Sequence, residues 1–250
     1  MVTTLGIIGA GMIGGTLARL AAGAGIEVVI SNSRGPDTLR QLVDGLGERV
    51  TAATPVEAAR AGDIVVASIP LGRHTQLPGP ELVGKTVIDT LNYYPQRDGR
   101  IPELDTNALT SSELVQRHLT DSKVVKAFNN IAFYSLGMMA RPSGSPDRSA
   151  LPIAGDDSGA KEHATALLDA LGYDTIDVGA LAESWRIEPN SAAYVEPYLP
   201  GPMPPVASEA ELFEWIGKTP VVPVPAQRVK HLTDTAVRGR AGGTFPPRPE

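Results

Sequence analysis

The sequence predicts an α/β fold in which helices flank a doubly wound, mostly parallel sheet. Over the first two-thirds of the 250 residues, short β-branched runs alternate with stretches of helical periodicity. Some runs, such as DIVVASIP (63–70), are almost continuously apolar, which is typical of strands buried on both faces. A glycine-rich turn, GIIGAGMIGG (6–15), contains the first run. In open sheets of this kind, ligands bind beyond the carboxyl ends of the strands.

The predicted elements follow this alternation along the chain. The predicted strands are Leu5–Ile8, Glu27–Ser31, Asp63–Ile69, Thr86–Thr90, Lys123–Phe128, 151–155 and 174–179. The predicted helices are 14–25, 36–47, 131–140, 160–172 and 208–217. Pro36 suits the first turn of the second helix, because the N–H that proline lacks would have no helical partner there. The last helix begins with a capping box formed by Ser208 and Glu211.

Gly9, Gly11 and Gly14 form a G-x-G-x-x-G fingerprint between a strand and a helix, the context that dinucleotide binding requires. Gly9 permits the tight turn, Gly11 lets the backbone approach a pyrophosphate, and Gly14 allows close packing of helix on strand. The first N–H groups of the helix and the positive end of its dipole attract the diphosphate. The sequence therefore predicts a Rossmann-type nucleotide-binding domain, with a purely structural glycine turn as the alternative.

The segment ISNSRGPDTL (30–39) follows the second strand, where dinucleotide-binding proteins often carry an acid for the adenosine ribose. This chain has Asn32, Ser33 and Arg34 there instead. A carboxylate repels a 2′-phosphate, whereas two neutral hydrogen-bonding groups and a planar guanidinium suit one. Charge-assisted hydrogen bonds contribute roughly 1.5–3 kcal/mol each. The segment predicts NADP(H) in preference to NAD(H), unless Arg34 only lies in a solvent-facing turn.

Two further segments lie at the carboxyl ends of predicted parallel strands and so reach the same edge of the sheet. One contains Ser68, Ile69 and Pro70, and the other is KAFNN (126–130). Asn129 is suited either to binding the nicotinamide carboxamide or the second substrate, or to capping the helix that follows. Lys126 is either a solvated strand residue or a catalytic one.

The domain organisation follows from a change of composition along the chain. We expect an NADP-binding Rossmann domain over 1–130, a C-terminal α/β extension with a strand–helix–strand unit over 131–188, and a proline-rich arm over 189–250. Twelve of the 22 prolines fall in the arm, too many for a regular packed layer. We expect the arm to dock on its own domain or on the partner subunit of a homodimer, with partial disorder as the alternative.

Composition excludes several classes of function. The chain has no cysteine, which excludes disulfides, thiolate catalysis and cysteine-ligated metals, and no metal site is predicted. The formal net charge of −6 gives no support to binding of nucleic acid or an anionic membrane. The opening apolar run has no basic flank, and no run approaches about 18 apolar residues. We therefore expect a cytoplasmic protein with no membrane association.

Several motifs in the same order resemble one family. The segments GIIGAGMIGG, SNSRGP, VVKAFNNI and GDD…LGYDTIDVGALAES resemble the coenzyme F420-dependent NADP reductase family. They are also similar to the NADPH-binding reductase domain of the six-transmembrane metalloreductases. The resemblance covers residues 5–186 and implies that the pyrophosphate is held by Gly9, Gly11, Met12 and Ile13. It also implies that Ser33 and Arg34 hold the 2′-phosphate, and that the Ile69 and Asn129 loops border the nicotinamide.

The resemblance implies direct hydride transfer between nicotinamide C4 and a deazaflavin (F420) or flavin ring, for which no catalytic side chain is named. Three functions remain open at this point. The first is an NADP-dependent oxidoreductase of that kind. The second is an NADPH-dependent reductase of a small carbonyl or imine, which needs a proton donor such as Lys126 or His74. The third is a non-catalytic NADP(H)-binding protein.

Overall fold

A computed structural model describes residues 2–199, 201, 211, 214–215 and 218–244. These residues form an eight-stranded sheet with the order β3-β2-β1-β4-β5-β6-β7-β8. The strands are β1 (Thr4–Ile8), β2 (Glu27–Ser31), β3 (Val50–Ala53), β4 (Ile64–Ala67), β5 (Thr86–Asp89), β6 (Lys123–Lys126), β7 (Ala150–Gly155) and β8 (Asp174–Asp177). Pairing is parallel throughout except between β6 and β7. The predicted doubly wound, mostly parallel Rossmann-type sheet is confirmed.

The carboxyl ends of five strands lie side by side in one row. Ile8 of β1 is paired with Ser31 of β2 on one side and with Ala67 of β4 on the other. Ala67 is paired with Asp89 of β5, which is paired in turn with Lys126 of β6. The loops that follow these five residues therefore leave the sheet at the same edge. The strand order also reverses direction between β1 and β4, which opens a crevice at that edge.

Helices cover both faces of the sheet. The α-helices are α1 (Met12–Gly23), α2 (Arg40–Leu46), α3 (Pro55–Ala61), α4 (Gly79–Leu82), α5 (Pro95–Asp98), α6 (Pro102–Asp105), α7 (Ser111–His118), α8 (Phe133–Met138), α9 (Ser158–Ala170) and α10 (Ala226–Asp234). Short 3₁₀ helices cover Pro36–Leu39, Leu71–Gln76, Leu181–Ile187 and Glu196–Tyr198. The predicted helix over 36–47 is therefore a 3₁₀ turn followed by α2, and Pro36 lies in the first turn as predicted.

Two apolar clusters support the sheet, one on each face. Leu5, Ile7 and Val66 belong to the first cluster, whereas Ile8 and Val65 belong to the second. Every residue of β4 is buried, as expected for a strand that is covered on both faces. Burying one Val, Leu or Ile side chain contributes roughly 1.5–3 kcal/mol. These clusters make the sheet a rigid base for the loops at its carboxyl edge.

β3 and the helices α3 to α7 have no counterpart among the predicted elements. β3 is a four-residue edge strand, VTAA, which exposes Thr51 and carries little apolar signal. α3 begins with a capping box: Glu57 N donates to Thr54 Oγ1 over 3.3 Å, and Thr54 N donates to the Glu57 carboxylate over 2.9 Å. The signature of this capping box is present in the sequence as Thr54-Pro55-x-Glu57.

The described part of the arm packs on its own chain. The buried Tyr198 hydroxyl donates to the Ala150 carbonyl at the start of β7 over 3.0 Å. Ala150 N donates to the Val224 carbonyl over 2.8 Å, and α10 contacts β7 and β8. Asn190 Nδ2 donates to the Gly242 carbonyl over 2.7 Å. These contacts correspond to the first of the two predicted docking arrangements. Ser208 and most of the predicted helix over 208–217 lie outside the described residues.

Candidate functional site

Gly9 is required by the backbone of the turn after β1. Its φ of +114° lies in the region that side chains rarely adopt, and a Cβ built there would lie 2.0 Å from the carbonyl oxygen of Ser68. Gly9 N also donates to the carbonyl of Ser31 over 2.9 Å. The turn after β1 therefore contacts the loops that follow β2 and β4, and these three connections lie next to one another.

Gly11 and Gly14 differ in what surrounds them, in the way that the fingerprint predicts. A Cβ on Gly14 would lie 1.9 Å from the carbonyl oxygen of Gly9, so glycine is needed for α1 to pack closely there. A Cβ on Gly11 would meet no atom within 4 Å. Gly11 caps α1 without a side-chain hydrogen bond, and the next two residues are the exposed Met12 and the half-buried Ile13. The start of α1 therefore offers open space and first-turn N–H groups to an anion.

Asn32 shapes the loop after β2 with its own side chain. Its Oδ1 accepts a hydrogen bond from Arg34 N over 2.9 Å, and its Nδ2 donates to Thr38 Oγ1 over 2.9 Å. Thr38 Oγ1 donates to the carbonyl of Gly35, whose φ is +93°. Both polar atoms of the Asn32 amide therefore have partners in the loop. Direct contact between Asn32 and a cofactor stays a prediction.

Ser33 and Arg34 project from this loop into solvent. Across the described ranges of the chain, neither side chain forms a hydrogen bond or an ion pair. The nearby carboxylate of Asp37 is already engaged by the guanidinium of Arg40 at 2.8 Å. The loop thus presents an uncommitted cation and a hydroxyl, a combination that suits a phosphate monoester.

Ser68, Ile69 and Pro70 lie against the glycine turn. Ser68 N donates to the carbonyl of Ile8 over 2.8 Å, which continues the sheet pairing one residue past β4. The Ile69 Cγ2 atom lies 3.2 Å from the Cβ position of Gly9, and Pro70 is exposed. The predicted strand over Asp63–Ile69 ends at Ala67, because the chain turns away into this loop.

His74 is held by its own helical turn. Its Nδ1 lies 2.9 Å from the carbonyl oxygen of Leu71, and its half-buried ring meets the ring of His118 edge-on at 6.0 Å. The Nδ1 atom of His74 therefore faces its own helical turn.

Asn129 joins the ends of β5 and β6 through a pair of side-chain contacts. Its Nδ2 donates to Asn92 Oδ1 over 3.1 Å and to the Ile187 carbonyl over 2.6 Å, while Asn92 Nδ2 donates to the Asn129 carbonyl over 2.8 Å. α8 begins at Phe133 with Ala132 as its cap, so Asn129 does not cap that helix. The buried Oδ1 of Asn129 has no hydrogen-bond partner among the residues that the structure describes. An acceptor in that state fits a ligand that carries an N–H group.

Lys126 is neither solvated nor open to a ligand. It is fully buried, and its Nζ donates to Asp89 Oδ2 at 3.3 Å, to Ser111 Oγ at 2.9 Å and to the Leu91 carbonyl. Asp89 is also fully buried, and its Oδ2 accepts from Ser112 Oγ over 2.6 Å. The ion pair therefore lies within the protein, at the β5 and β6 positions of the row of strand ends.

Tyr94 and Tyr194 form a polar cluster that the sequence reasoning missed. Their hydroxyls are hydrogen bonded to each other, and Asn92 Nδ2 lies 3.5 Å from the Tyr194 oxygen. The Arg97 guanidinium lies 4.9 Å from the centre of the Tyr94 ring. Burial raises the pKa of both hydroxyls, so both groups stay neutral at neutral pH. The segment NYYP (92–95), which begins three residues past the end of β5, was a signal for Tyr94, but Tyr194 comes from the arm, 100 residues later.

Comparison with known proteins agrees with this geometry. Residues 4–93 match a family model described as NADP oxidoreductase, coenzyme F420-dependent. The solved structure of hypothetical protein SMa0349 from Sinorhizobium meliloti is 32% identical, with a TM-score of 0.64 over 74% of this chain and 88% of that one. A structure from Arthrobacter sp. FB24, provisionally assigned as an F420-dependent NADP-reductase, is 25% identical, with a TM-score of 0.62 over 74% of this chain and 87% of that one.

A curated relative matches a similar share of the chain. Metalloreductase STEAP3 from Rattus norvegicus is 27% identical over 186 residues, which is 74% of this chain. The chain spans only 35% and 39% of the lengths of the curated relatives that it matches.

The sheet order, the glycine turn and the loop after β2 together define a Rossmann-type dinucleotide-binding protein. The chain belongs to the NADP oxidoreductase family described as coenzyme F420-dependent. The family and its reductase relative support NADP as the cofactor and NADP-dependent oxidoreduction as the class of activity. Among the described residues, none of the helices has the length and apolar character needed to cross a membrane.

Proposed function

We propose that the chain transfers a hydride between NADP(H) and a deazaflavin (F420) or flavin-like acceptor at the row of strand ends. The observation that carries this proposal is the charge pattern along that row. An uncommitted guanidinium, Arg34, lies at the β2 end. Past the β5 and β6 ends, whose charged residues Asp89 and Lys126 are buried as a pair, the neutral side chains of Asn92, Tyr194 and Asn129 meet. The pattern suits a phosphate at one end and an uncharged ring system at the other.

The cofactor side of the site is proposed as follows. The N–H groups of Met12, Ile13 and Gly14 receive the diphosphate, which approaches through the open space beside Gly11. Ser33 and Arg34 bind the 2′-phosphate, and Gly9 fixes the turn between these two places. The nicotinamide lies beyond Ser68, Ile69 and Pro70, with Asn129 near its carboxamide.

When bound, the reduced nicotinamide would supply a hydride from C4, which carries two electrons to C5 of a deazaflavin or to N5 of a flavin, while a proton from water joins N1 of the same ring. Such a transfer needs no acid or base at the reacting carbon. The side chains have to hold two rings at about 3–3.5 Å and to exclude water. The neutral Tyr94 and Tyr194 hydroxyls and the Asn92 amide provide hydrogen bonds for the polar edge of the acceptor.

Reduction of a small carbonyl or imine is the alternative, and its two candidate proton donors are poorly placed. All three donors on Lys126 Nζ are engaged inside the protein. His74 Nδ1 faces the carbonyl of its own turn. These contacts disfavour Lys126 and His74 as proton donors, so a substrate that must be protonated by the protein would depend on the neutral Tyr94 or Tyr194 hydroxyl.

The test uses NADPH that carries deuterium at one face of C4. The purified chain is mixed with oxidised F420, FMN or FAD, and the reduced product is analysed by mass spectrometry. Direct transfer predicts deuterium in the reduced deazaflavin when the label is on the face that is transferred, so NADPH labelled on either face is tested in turn; the new C–H bond does not exchange with water. Tight NADPH binding with no reduction of any of the three acceptors would refute the proposal and favour a non-catalytic NADP(H)-binding protein.

A homodimer, a cytoplasmic location and the division into three segments stay predictions. Analytical ultracentrifugation of the full chain and of a chain that ends at Glu188 tests both the homodimer and the division into three segments. If the arm is a separate segment that stabilises a dimer, the shorter chain sediments as a folded monomer.

A further inference from the structure

Hydride transfer itself gives no role to the ion pair that Lys126 and Asp89 form at the ends of β6 and β5. Both side chains are fully buried. Taking two ions out of water is costly, and a buried ion pair often adds no stability over apolar side chains of the same volume. The effect of this pair lies in the groups that it holds in place.

The ion pair fixes both peptide groups of Leu91. Asp89 Oδ1 accepts a hydrogen bond from Leu91 N over 2.8 Å, and Lys126 Nζ donates to the Leu91 carbonyl. The next residue is Asn92, whose Oδ1 accepts from Asn129 Nδ2 over 3.1 Å. The pair therefore sets the position of one partner of the Asn129 amide.

Glu188 sets the position of the other partner. The Ser111 hydroxyl accepts from Lys126 and donates to Glu188 Oε1 over 2.7 Å, and Ser111 N donates to the same oxygen over 3.0 Å. Glu188 directly follows Ile187, whose carbonyl accepts from Asn129 Nδ2 over 2.6 Å. One network of buried hydrogen bonds therefore reaches Asn129 from two sides.

The network also determines which way the Asn129 amide is turned. Both hydrogens of Nδ2 are donated, and one of them goes to a backbone carbonyl, which can only accept. A flipped amide would bring Oδ1 against that carbonyl oxygen. Oδ1 therefore points away from both partners, and it has no hydrogen-bond partner within the described ranges. Asn129 is only 4% exposed, so this acceptor is shielded from bulk water.

We propose that Lys126, Asp89, Ser111 and Glu188 are positioning residues, which hold Asn129 Oδ1 ready to accept a hydrogen bond from the carboxamide N–H₂ of the nicotinamide. The inference rests on the proposed function, since it requires NADP(H) in the crevice. The contact fixes the rotation of the nicotinamide ring and so decides which face of C4 is turned to the acceptor.

The test compares NADP⁺ with its 3-acetylpyridine analogue, which keeps a carbonyl group but has no carboxamide N–H. Calorimetry of the wild-type chain is expected to show roughly tenfold weaker binding of the analogue. Asn129→Ala abolishes this difference, and Glu188→Gln and Ser111→Ala each reduce it. Ser122→Ala is the matched control, because Ser122 is a buried serine that holds the Leu82 carbonyl over 2.8 Å at the opposite edge of the sheet. We expect Ser122→Ala to keep the full difference in affinity between NADP⁺ and the analogue.

Facial stereospecificity is the second readout, which a merely structural role would leave unchanged. With NADPH deuterated on one face of C4, the wild-type chain transfers from a single face, whereas Glu188→Gln transfers from both. Equal affinity of the wild-type chain for NADP⁺ and the analogue overturns the positioning role while leaving NADP binding intact. Retained discrimination and single-face transfer in a folded Glu188→Gln variant also overturn it. Failure to bind NADP⁺ at all overturns the proposed function as well.

Discussion

The backbone N–H of Arg34 donates to Oδ1 of Asn32 over 2.9 Å, so the side chain of one loop residue holds the backbone of the other in place. The second polar atom of that amide, Nδ2, is engaged by Thr38 Oγ1 at 2.9 Å. Asn32 therefore contributes to the loop after β2 by giving it a shape in which Arg34 points outward.

This relationship makes Asn32→Asp an informative substitution. Aspartate keeps an oxygen for Arg34 N but adds a negative charge beside the proposed place of the 2′-phosphate. We expect NADPH binding to weaken by about tenfold or more, while NADH binding changes by less than about threefold. Asn32→Ala, which loses the loop contacts without adding charge, is the control and is expected to lose less. Equal losses for NADPH and NADH in calorimetric titrations of Asn32→Asp would put the phosphate elsewhere.

Alanine at Gly9 and at Gly11 should have opposite effects. Gly9→Ala places a methyl group 2.0 Å from the Ser68 carbonyl oxygen at a positive φ, so we expect about 2–4 kcal/mol loss in the free energy of unfolding. Gly11→Ala meets no atom within 4 Å, so the fold should keep its stability while the methyl group obstructs the diphosphate. Urea unfolding and NADPH titration of both variants check this. A stable Gly9→Ala chain, or normal NADPH binding by Gly11→Ala, contradicts the fingerprint geometry.

The tyrosine cluster predicts a loss of stability at alkaline pH. Burial raises the pKa of Tyr94 and Tyr194 above the ordinary value of 10.0. Each hydroxyl therefore contributes stability that is fully present below about pH 10, and this contribution is lost as the pH rises through the folded-state pKa. The free energy of unfolding should fall less steeply above pH 10 in Tyr194→Phe than in the wild-type chain. Identical slopes in urea unfolding over that range would show that Tyr194 ionises as freely as in the unfolded chain.

Asp63 predicts the complementary effect at acid pH. Its Oδ2 accepts from Thr3 Oγ1 over 2.6 Å and from the N–H groups of Thr3 and Thr4 over 3.0 Å each. These hydrogen bonds lower the pKa of the carboxyl group, so its contribution is present above about pH 4 and is lost as the pH falls through the lower folded-state pKa. Below pH 4, the free energy of unfolding measured in urea should depend less on pH in Asp63→Asn than in the wild-type chain. If the free energy of unfolding in urea falls below pH 4 as steeply in Asp63→Asn as in the wild-type chain, this linkage is ruled out.

Much of the fold could be predicted because its strands are buried on both faces. The strands β1, β4 and β5 can be predicted from the local sequence alone, because a strand that is buried on both faces is a nearly continuous apolar run. The ends of strands were less predictable: Ser68 and Ile69 continue an apolar run and yet leave the sheet. β3 escaped prediction as a short edge strand. The antiparallel direction of β7 also had no signal, because an apolar pattern carries no direction.

The candidate site was also predictable only where its residues act on close neighbours in the sequence. Gly9, Gly11 and Gly14 act within six residues of one another, so their roles can be derived from the sequence alone. The environment of Lys126 could not be derived, because its partners lie 15, 35 and 37 residues away. Tyr194 reaches the site only because the arm docks on its own chain. Spacing in the sequence gives no measure of such contacts.

The most direct test of the central claim is the relative affinity of the wild-type chain for NADPH and NADH, measured by calorimetry beside Arg34→Ala and Arg40→Ala. Arg40 is the matched control, since it is an exposed arginine that pairs with Asp37 at 2.8 Å. We predict a preference for NADPH of about tenfold to a hundredfold, lost in Arg34→Ala and kept in Arg40→Ala. A wild-type chain that binds both dinucleotides equally well, or binds neither, contradicts the account.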